Sequence, residues 1–486
     1  MENTGMYIKN NFISVFVLVV LNLLPGGSCS RTSSAEPPGD VEKNKPNIIF
    51  ILADDLGYGD VGFNGQELIN TPVLDKMATD GIVFTRHYAG STVCGPSRAS
   101  LITGRHTGHS AVRGNPRWTK SGRPVDISNE ENTVAKELKR AGYRTGIVGK
   151  WGLAENLDAG KPNNQGFDYF YGFNRHGPAH HYYPEKIWEN DNHITLEGNV
   201  MMDKVGRYSQ DLFTQKALDF IDRESENPFF LYLAYTIPHY ELTIPEEQKA
   251  EYHKKDWPLR RMKMGHYRND ENGHVTYASM ITRMDKDIGR ILSKLIELGI
   301  DENTLVVFTS DNGHEYDQLD NEFFNSNGVY RGRKRDLYEG GIRVPFVAKW
   351  PGRITPGIES GHASAFWDFL PTVCDILGQE PSAPTDGKSY LPVLLGMEKK
   401  QEPHDYLYWE FNEKKGPVQA LTQGDWKLIH FVDMRYELYH LKDDPGESNN
   451  LYTEKHPVAV KLQKLLASAR TDHPEFPLVK RKKSGN

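Results

Sequence analysis

Cysteine is scarce in this sequence, with three among 486 residues, at positions 29, 94 and 374. So few, spaced so widely, exclude a disulfide framework and a zinc site built from paired cysteines. A basic excess is also missing. Sixty-five acidic against 58 basic residues leave a net charge of −7, so the electrostatic footprint of a nucleic-acid binder is absent and no nucleic-acid partner is expected. The short run from Lys480 to Lys483 reads as a solvated tail. No internal repeat is visible. Beyond residue 24 no apolar stretch approaches the length of a membrane-spanning helix, so no transmembrane segment is expected. What remains is ordinary for a globular chain, 38% apolar and 25% charged, with ample material for a large core.

The N-terminus reads as a secretory leader. Lys9 precedes the apolar run Phe12 to Leu24, and Pro25, Gly26, Gly27 and Ser28 follow. The run matches a signal h-region and is too short to span a bilayer. Residues 1–28 are therefore expected to be a signal peptide, and the protein to be exported to a periplasm or secreted. Cleavage before Cys29 adds a second reading, a lipid anchor on that residue, although Gly26 stands where such sites usually carry leucine. Residues 29–45 are polar, hold two prolines and read as a linker.

From Pro46 the pattern becomes regular. Asn47 to Ala53 is a continuous apolar run suited to a strand buried on both faces. Similar runs recur at Thr145 to Val148, Phe229 to Tyr235, Leu305 to Thr309 and Val344 to Ala348. Helix signals lie between them. Thr71-Pro72 opens one helix that Gly81 stops, Thr133 to Ala141 follows the same plan with Gly142 as its stop, and an apolar stripe runs from Tyr277 to Leu298. Strands alternating with helices predict an α/β domain over residues 46–378 around a mainly parallel sheet. After about Gly378 the pattern shortens. Tyr406 to Phe411, Val418 to Phe431 with a turn at Gly424-Asp425, and Tyr436 to Leu441 predict antiparallel strands, followed by a helix from about Pro457 to Ala469. Residues 379–486 thus read as a smaller α+β domain.

Polar residues gather where the predicted strands end. Asp54 and Asp55 follow the first, Lys150 the second, His239 the third, and Asp311 and Asn312 the fourth. Ligands of open α/β sheets bind at these carboxyl ends. Taken singly, each residue is an ordinary turn former or helix cap; four such places after four strands make a site. Asp54, Asp55, Asp311 and Asn312 offer hard oxygen donors that suit Ca²⁺, with Mg²⁺ the second candidate, rather than zinc. Cys94 opens Cys94-Gly95-Pro96-Ser97-Arg98, and Ser97 as a helix cap would put it beside the positive end of a short helix.

That segment and the following Leu101-Ile102-Thr103-Gly104-Arg105 resemble the signature of the type I sulfatases, whose cysteine is oxidised to formylglycine (3-oxoalanine). Gly142 to Trp151 resembles the second signature of the same family, and the likeness runs from Pro46 to about Asp443-Asp444-Pro445. The resemblance implies an alkaline-phosphatase-like sandwich, a large mainly parallel sheet flanked by helices, beside the smaller antiparallel sheet. It implies a sulfuric ester hydrolase, and a maturing enzyme that generates the formylglycine at Cys94. Asp54, Asp55, Asp311 and Asn312 correspond to calcium ligands, with residue 94 completing the set. Arg98 and Lys150 correspond to cations that steady the formylglycine hydrate, His239 to the histidine facing the ester oxygen, and Lys334 to the lysine that binds sulfate. In the family one hydroxyl of the hydrate attacks sulfur and the other expels sulfate afterwards.

One departure matters. Where the family carries a histidine two residues after the lysine of the second signature, this chain has Gly152; that histidine takes a proton as sulfate leaves. His176, His180 and His181 either reach the pocket in its place or belong to a solvent-exposed loop. The segments Trp151 to Leu153 and Arg175 to Tyr183 resemble bacterial carbohydrate sulfatases, which implies a sulfated carbohydrate substrate, from ulvan or another algal glycan or from a host glycan. Two other readings compete: a phosphonate monoester hydrolase or phosphodiesterase of the same superfamily, and a glycan-binding protein that has lost catalysis.

Overall fold

The strand Asn47–Asp54 is buried at all eight of its residues, and its side chains divide between two cores. Ile49, Ile51 and Ala53 enter one; Ile48, Phe50 and Leu52 enter the other. Strand Phe229–Pro238 divides likewise, with Leu231 and Leu233 on one side and Phe230 and Tyr232 on the other. Successive strand residues point to opposite faces, so a strand covered on both sides must be apolar throughout. A computed structural model of the chain describes residues 45–479, apart from 117, 157–158, 202, 204, 263–269, 316–322, 414–416 and 433–434. The leader, Cys29, the linker up to residue 44 and the run Lys480 to Lys483 lie outside the described residues. Among the described residues no helix is long and apolar enough to cross a membrane.

The main sheet has ten strands in the order Ile358–Ser360, Ile82–Phe84, Phe346–Lys349, Thr304–Ser310, Asn47–Asp54, Phe229–Pro238, Arg144–Lys150, Tyr169–Phe173, Lys186–Glu189 and Asn192–Thr195. From Thr304–Ser310 through Tyr169–Phe173 the five central strands run parallel. Antiparallel pairs lie outside them, including Phe346–Lys349 against Thr304–Ser310 and the Lys186–Glu189 hairpin. The run expected from Val344 to Ala348 thus forms a shorter strand that reverses direction. Helices Pro72–Asp80, Ser209–Glu224 and Gly273–Glu297 pack on one face, and Cys94–Thr103, Val134–Arg140 and Phe369–Ile376 on the other. The architecture is the helix-flanked α/β sandwich expected from the sequence.

Helix boundaries follow local chemistry. Pro72 opens its helix after Thr71, and Gly81 ends it. The Thr133 side chain accepts a hydrogen bond from Lys136 N and caps Val134–Arg140, the role serine and threonine take at an N-cap. Ser97 differs from expectation. The helix begins three residues earlier, at Cys94, with Val93 as its N-cap, and Ser97 Oγ instead accepts from Gly90 N at 3.1 Å. The serine therefore ties down the preceding loop, and Cys94 sits in the first turn itself.

A separate sheet of four antiparallel strands, Leu407–Phe411, Val418–Gln423, Trp426–Phe431 and Arg435–His440, follows. Helix Pro457–Ser468 covers one face through Leu462 and Leu466. The other face packs on Val93 and Trp367, and Trp409 Nε1 donates to Ala89 O at 2.9 Å. This small sheet thus braces the loop that carries Cys94.

One close approach sets the position of Lys150. Gly149 has φ +112°, and a Cβ there would lie 1.9 Å from Ala234 O on the neighbouring strand. Gly149→Ala should therefore lower stability by about 3 kcal/mol or more, since both the backbone conformation and the strand contact forbid a methyl group. A urea melt that leaves the midpoint in place would contradict this packing.

Candidate active site

Four adjacent central strands deliver their carboxyl ends to one place. Asp54 ends its strand and Lys150 ends another; His239 and Asp311 directly follow theirs. Cys94 and Arg98 come from the first turns of their helix, and Lys334 from the loop after Asn312. Asp54, Asp55, Cys94, Arg98, Lys150, His239, Asp311, Asn312 and Lys334 are all buried, and the structure brings all nine together.

The charges pair in a fixed pattern. Lys150 Nζ donates to Asp54 Oδ2 at 2.6 Å. Arg98 grips Asp311 Oδ2 through Nε at 3.0 Å and Nη2 at 2.7 Å, and its Nη1 donates to Lys150 O at 2.7 Å. Lys334 Nζ donates to Asp55 Oδ2 at 2.6 Å and to Glu315 Oε2 at 2.8 Å. Asn312 Nδ2 donates to Asp55 Oδ1 at 2.7 Å, while Asp55 N donates to Asp311 Oδ1 at 3.1 Å. His239 Nε2 lies 3.4 Å from Asp55 Oδ2, and the His180 ring stacks on the His239 ring at 4.0 Å between centroids.

Burial disfavours the charged forms of Asp54, Asp311, Lys334 and His239, and partners decide which survive. Burial opposes ionisation of Asp54, but Lys150, backed by His239, Arg98 and Lys334, holds its carboxyl below the usual carboxylate range. Burial, with Asp54 alongside, pushes the Asp311 carboxyl well up despite Arg98. Burial works against the Lys334 ammonium, yet Asp55 and Glu315 hold it well above the ordinary lysine value. Burial, reinforced by Lys334, lowers the His239 imidazole to about 4.

The donor set fits a hard divalent cation. Ligand atoms of Asp54, Asp55, Cys94 and His239 lie within 4.8 Å of one another. Asp54 Oδ1 and Asn312 Oδ1 are buried oxygens without a hydrogen-bond donor, which buried oxygens rarely lack. Asp55 has φ +66°, a conformation uncommon outside glycine that fixes where its carboxylate points. A cation held by Asp54, Asp55, Asp311 and Asn312 would also offset the Asp54 charge that, after burial, pushes Asp311 up.

Several neighbours carry no signal that singles them out in the sequence. Glu315 pairs with Lys334 and Arg335, and only its closeness to Asn312 in the chain could have drawn attention to it. Asn115 Oδ1 accepts from Gly95 N at 3.0 Å, and Glu413 Oε1, from the small sheet's first hairpin, accepts from Asn115 N at 2.9 Å. No periodicity or motif links these positions. His176 and His181 are largely enclosed rather than in an open loop, with side-chain exposures of 10% and 14%.

The sulfatase family model matches residues 46–379. The chain belongs to the sulfatase family. A second model, the C-terminal region of N-sulphoglucosamine sulphohydrolase, matches residues 328–472. This sulfatase is 29% identical to the N-acetylgalactosamine-6-O-sulfatase of Bacteroides thetaiotaomicron, over 93% of this chain and 99% of that protein. It is 32% identical to the N-acetylgalactosamine-6-sulfatase of Mus musculus, over 79% of this chain and 71% of the other. The solved structure of Ps i-CgsB in complex with k-i-k-neocarrahexaose superposes with a TM-score of 0.73 at 27% identity, covering 90% and 95% of the two chains. As a sulfatase the protein is a hydrolase of sulfuric esters.

Cation binding should be measurable without substrate. At a Ca²⁺ concentration about 100 times Kd the folded state gains roughly 2.7 kcal/mol, so chelation should lower the calorimetric Tm and added Ca²⁺ should restore it. Asn312→Ala should lose most of that calcium-dependent shift. A Tm indifferent to chelator and Ca²⁺ alike would refute the assignment of these oxygens.

Proposed function

We propose that this sulfatase hydrolyses sulfate esters of carbohydrates, with Cys94 converted to formylglycine and a calcium ion bound by Asp54, Asp55, Asp311 and Asn312. The observation that carries the reading is the setting of Cys94. It lies in a helix's first turn, in a buried pocket with Lys150, Arg98, Lys334 and a cluster of carboxylates beside oxygens that lack a hydrogen-bond donor. Formylglycine at residue 94 would supply a hydrated aldehyde as the nucleophile, and calcium held by Asp54, Asp55, Asp311 and Asn312 would supply positive charge for the sulfate oxygens. Mg²⁺ would supply the same charge in a tighter octahedral shell.

The chain's own residues account for the rest. Lys334 and Lys150 set two ammonium groups at the pocket to stabilise charge that grows on the sulfate oxygens in the transition state. Arg98 is spent on Asp311 and the Lys150 carbonyl, so it holds the helix start against the sheet. His239 would protonate the departing sugar oxygen through Nε2. Burial and Lys334 disfavour its protonated form, and an anionic sulfate ester beside the ring would favour that form, as the acid role needs.

The carbohydrate class rests on the two N-acetylgalactosamine sulfatases compared above and on the segments around Trp151 and His176. The substrates to compare are sulfated amino sugars of host glycans and sulfated algal oligosaccharides. Phosphate and phosphonate monoesters, run in parallel, test the rival hydrolase reading. A leader over residues 1–28 would export the protein to a periplasm or beyond, and the conversion at Cys94 requires a sulfatase-maturing enzyme as partner.

Three outcomes are expected. The peptide containing residue 94 from active protein should weigh about 18 Da less than its unmodified cysteine form, the change of a thiol into an aldehyde. Cys94→Ala should abolish turnover while leaving the melting curve in place, and full activity from unmodified Cys94 would sink the reading. His239→Ala should lose at least about 100-fold in rate on a sulfated sugar and far less on an activated aryl sulfate, whose phenolate departs without a proton. Equal losses on both substrates would assign His239 to sulfate binding or to structure.

A further inference from the structure

The His176 ring lies against both sulfatase signatures at once. A Cβ on Gly152 would sit 3.0 Å from its Cε1 and 3.2 Å from its Nε2, and a Cβ on Gly95 would sit 3.1 Å and 3.2 Å from the same two atoms. The Cε1–Nε2 edge therefore fills the space over Gly95, the neighbour of Cys94, and over Gly152, two residues beyond Lys150. Any side chain at position 152 would displace the ring, and the backbone there has φ +73°, which favours glycine.

The opposite edge is anchored. His176 Nδ1 lies 3.2 Å from Glu155 Oε1, and the His176 backbone N–H donates to the same oxygen at 2.7 Å. Nε2 is buried and has no hydrogen-bond partner. A carboxylate on Nδ1 fixes the tautomer that leaves Nε2 as an acceptor, the arrangement by which an imidazole serves as a base. Burial lowers the His176 imidazole below its ordinary value, with Glu155 offsetting part and Lys150 adding to the effect, so the ring is neutral near pH 7.

We propose that His176 Nε2 accepts the proton released when sulfate departs from residue 94, with Glu155 as its positioning residue. This rests on the formylglycine reading above. At that stage residue 94 carries sulfate on one oxygen and a proton on the other. The O–H proton passes to His176 Nε2, and the electron pair it leaves forms the C=O bond. The bond from carbon to the sulfate oxygen breaks, and sulfate leaves with the electron pair of that broken C–O bond. Water then adds to the aldehyde, and His176 returns its proton to solvent.

The role separates two products that a merely structural residue would not separate. With an aryl sulfate, His176→Ala should release about one equivalent of phenol per active site in a rapid first turnover. Sulfate release should then be at least about 100-fold slower than in the parent enzyme, and intact mass should show sulfate retained on the protein. Glu155→Gln should show the same pattern in weaker form. His176→Gln, which keeps a planar polar group in the space over Gly152, guards against collapse of the loop. Phenol and sulfate released together at the parent rate would overturn the proposal. Loss of the first phenol turnover in a variant with an unchanged melting curve would also overturn it, because His176 would then act in the first step. A parent enzyme that carries unconverted Cys94 and still cleaves the sulfate ester at full rate would strike down the underlying reading instead, and its mass spectrum identifies that case.

Discussion

Three aspartates and three cations share a buried space at one end of the parallel sheet, and the surrounding structure is arranged around keeping them there. Lys150 answers Asp54, Arg98 answers Asp311, and Lys334 answers Asp55. None has enough water around it to be stable alone, and leaving one partner of such a pair unmatched costs about 3–5 kcal/mol. The pairing explains why the second signature carries Lys150 just before its end and the first carries arginine four residues after cysteine. It also leaves Asp54 Oδ1 and Asn312 Oδ1 without donors, the open coordination positions that a divalent cation would occupy.

The parallel sheet makes this concentration of charge feasible. Four neighbouring strands end side by side, so residues such as Asp55 and Asn312, 257 positions apart, meet without long side chains reaching across. The rigid centre, apolar on both faces, fixes the strand ends, and the loops after them carry the chemistry. The small C-terminal sheet contributes at a distance. Trp409 holds the loop before Cys94, and Glu413 reaches Gly95 through Asn115.

The absence of histidine at position 152 has a spatial counterpart. The vacant side-chain volume over Gly152 is filled by an imidazole that arrives from residue 176, held by Glu155. A function lost from one motif and carried by another segment leaves both the rate and the fold possible, provided the ring presents a nitrogen in the right place. Here two glycines, 95 and 152, make the space.

What the sequence determined by itself was local. Continuous apolar runs marked the central strands because a strand covered on both faces has no polar side, and Thr133, Gly81 and the Tyr277 to Leu298 stripe marked helices through capping and period. The two signatures, with the carboxylates at strand ends, named the residues of the pocket and its chemistry. Only the tertiary structure decided how they pair. That Arg98 binds Asp311, that Lys334 is shared between Asp55 and Glu315, that Ser97 lies inside the helix rather than at its cap, and that His176 covers Gly152 all depend on distances between segments remote in the chain. Charge pairing and close packing act through space over a few ångströms, and sequence patterns record only the neighbours along one strand or one helix.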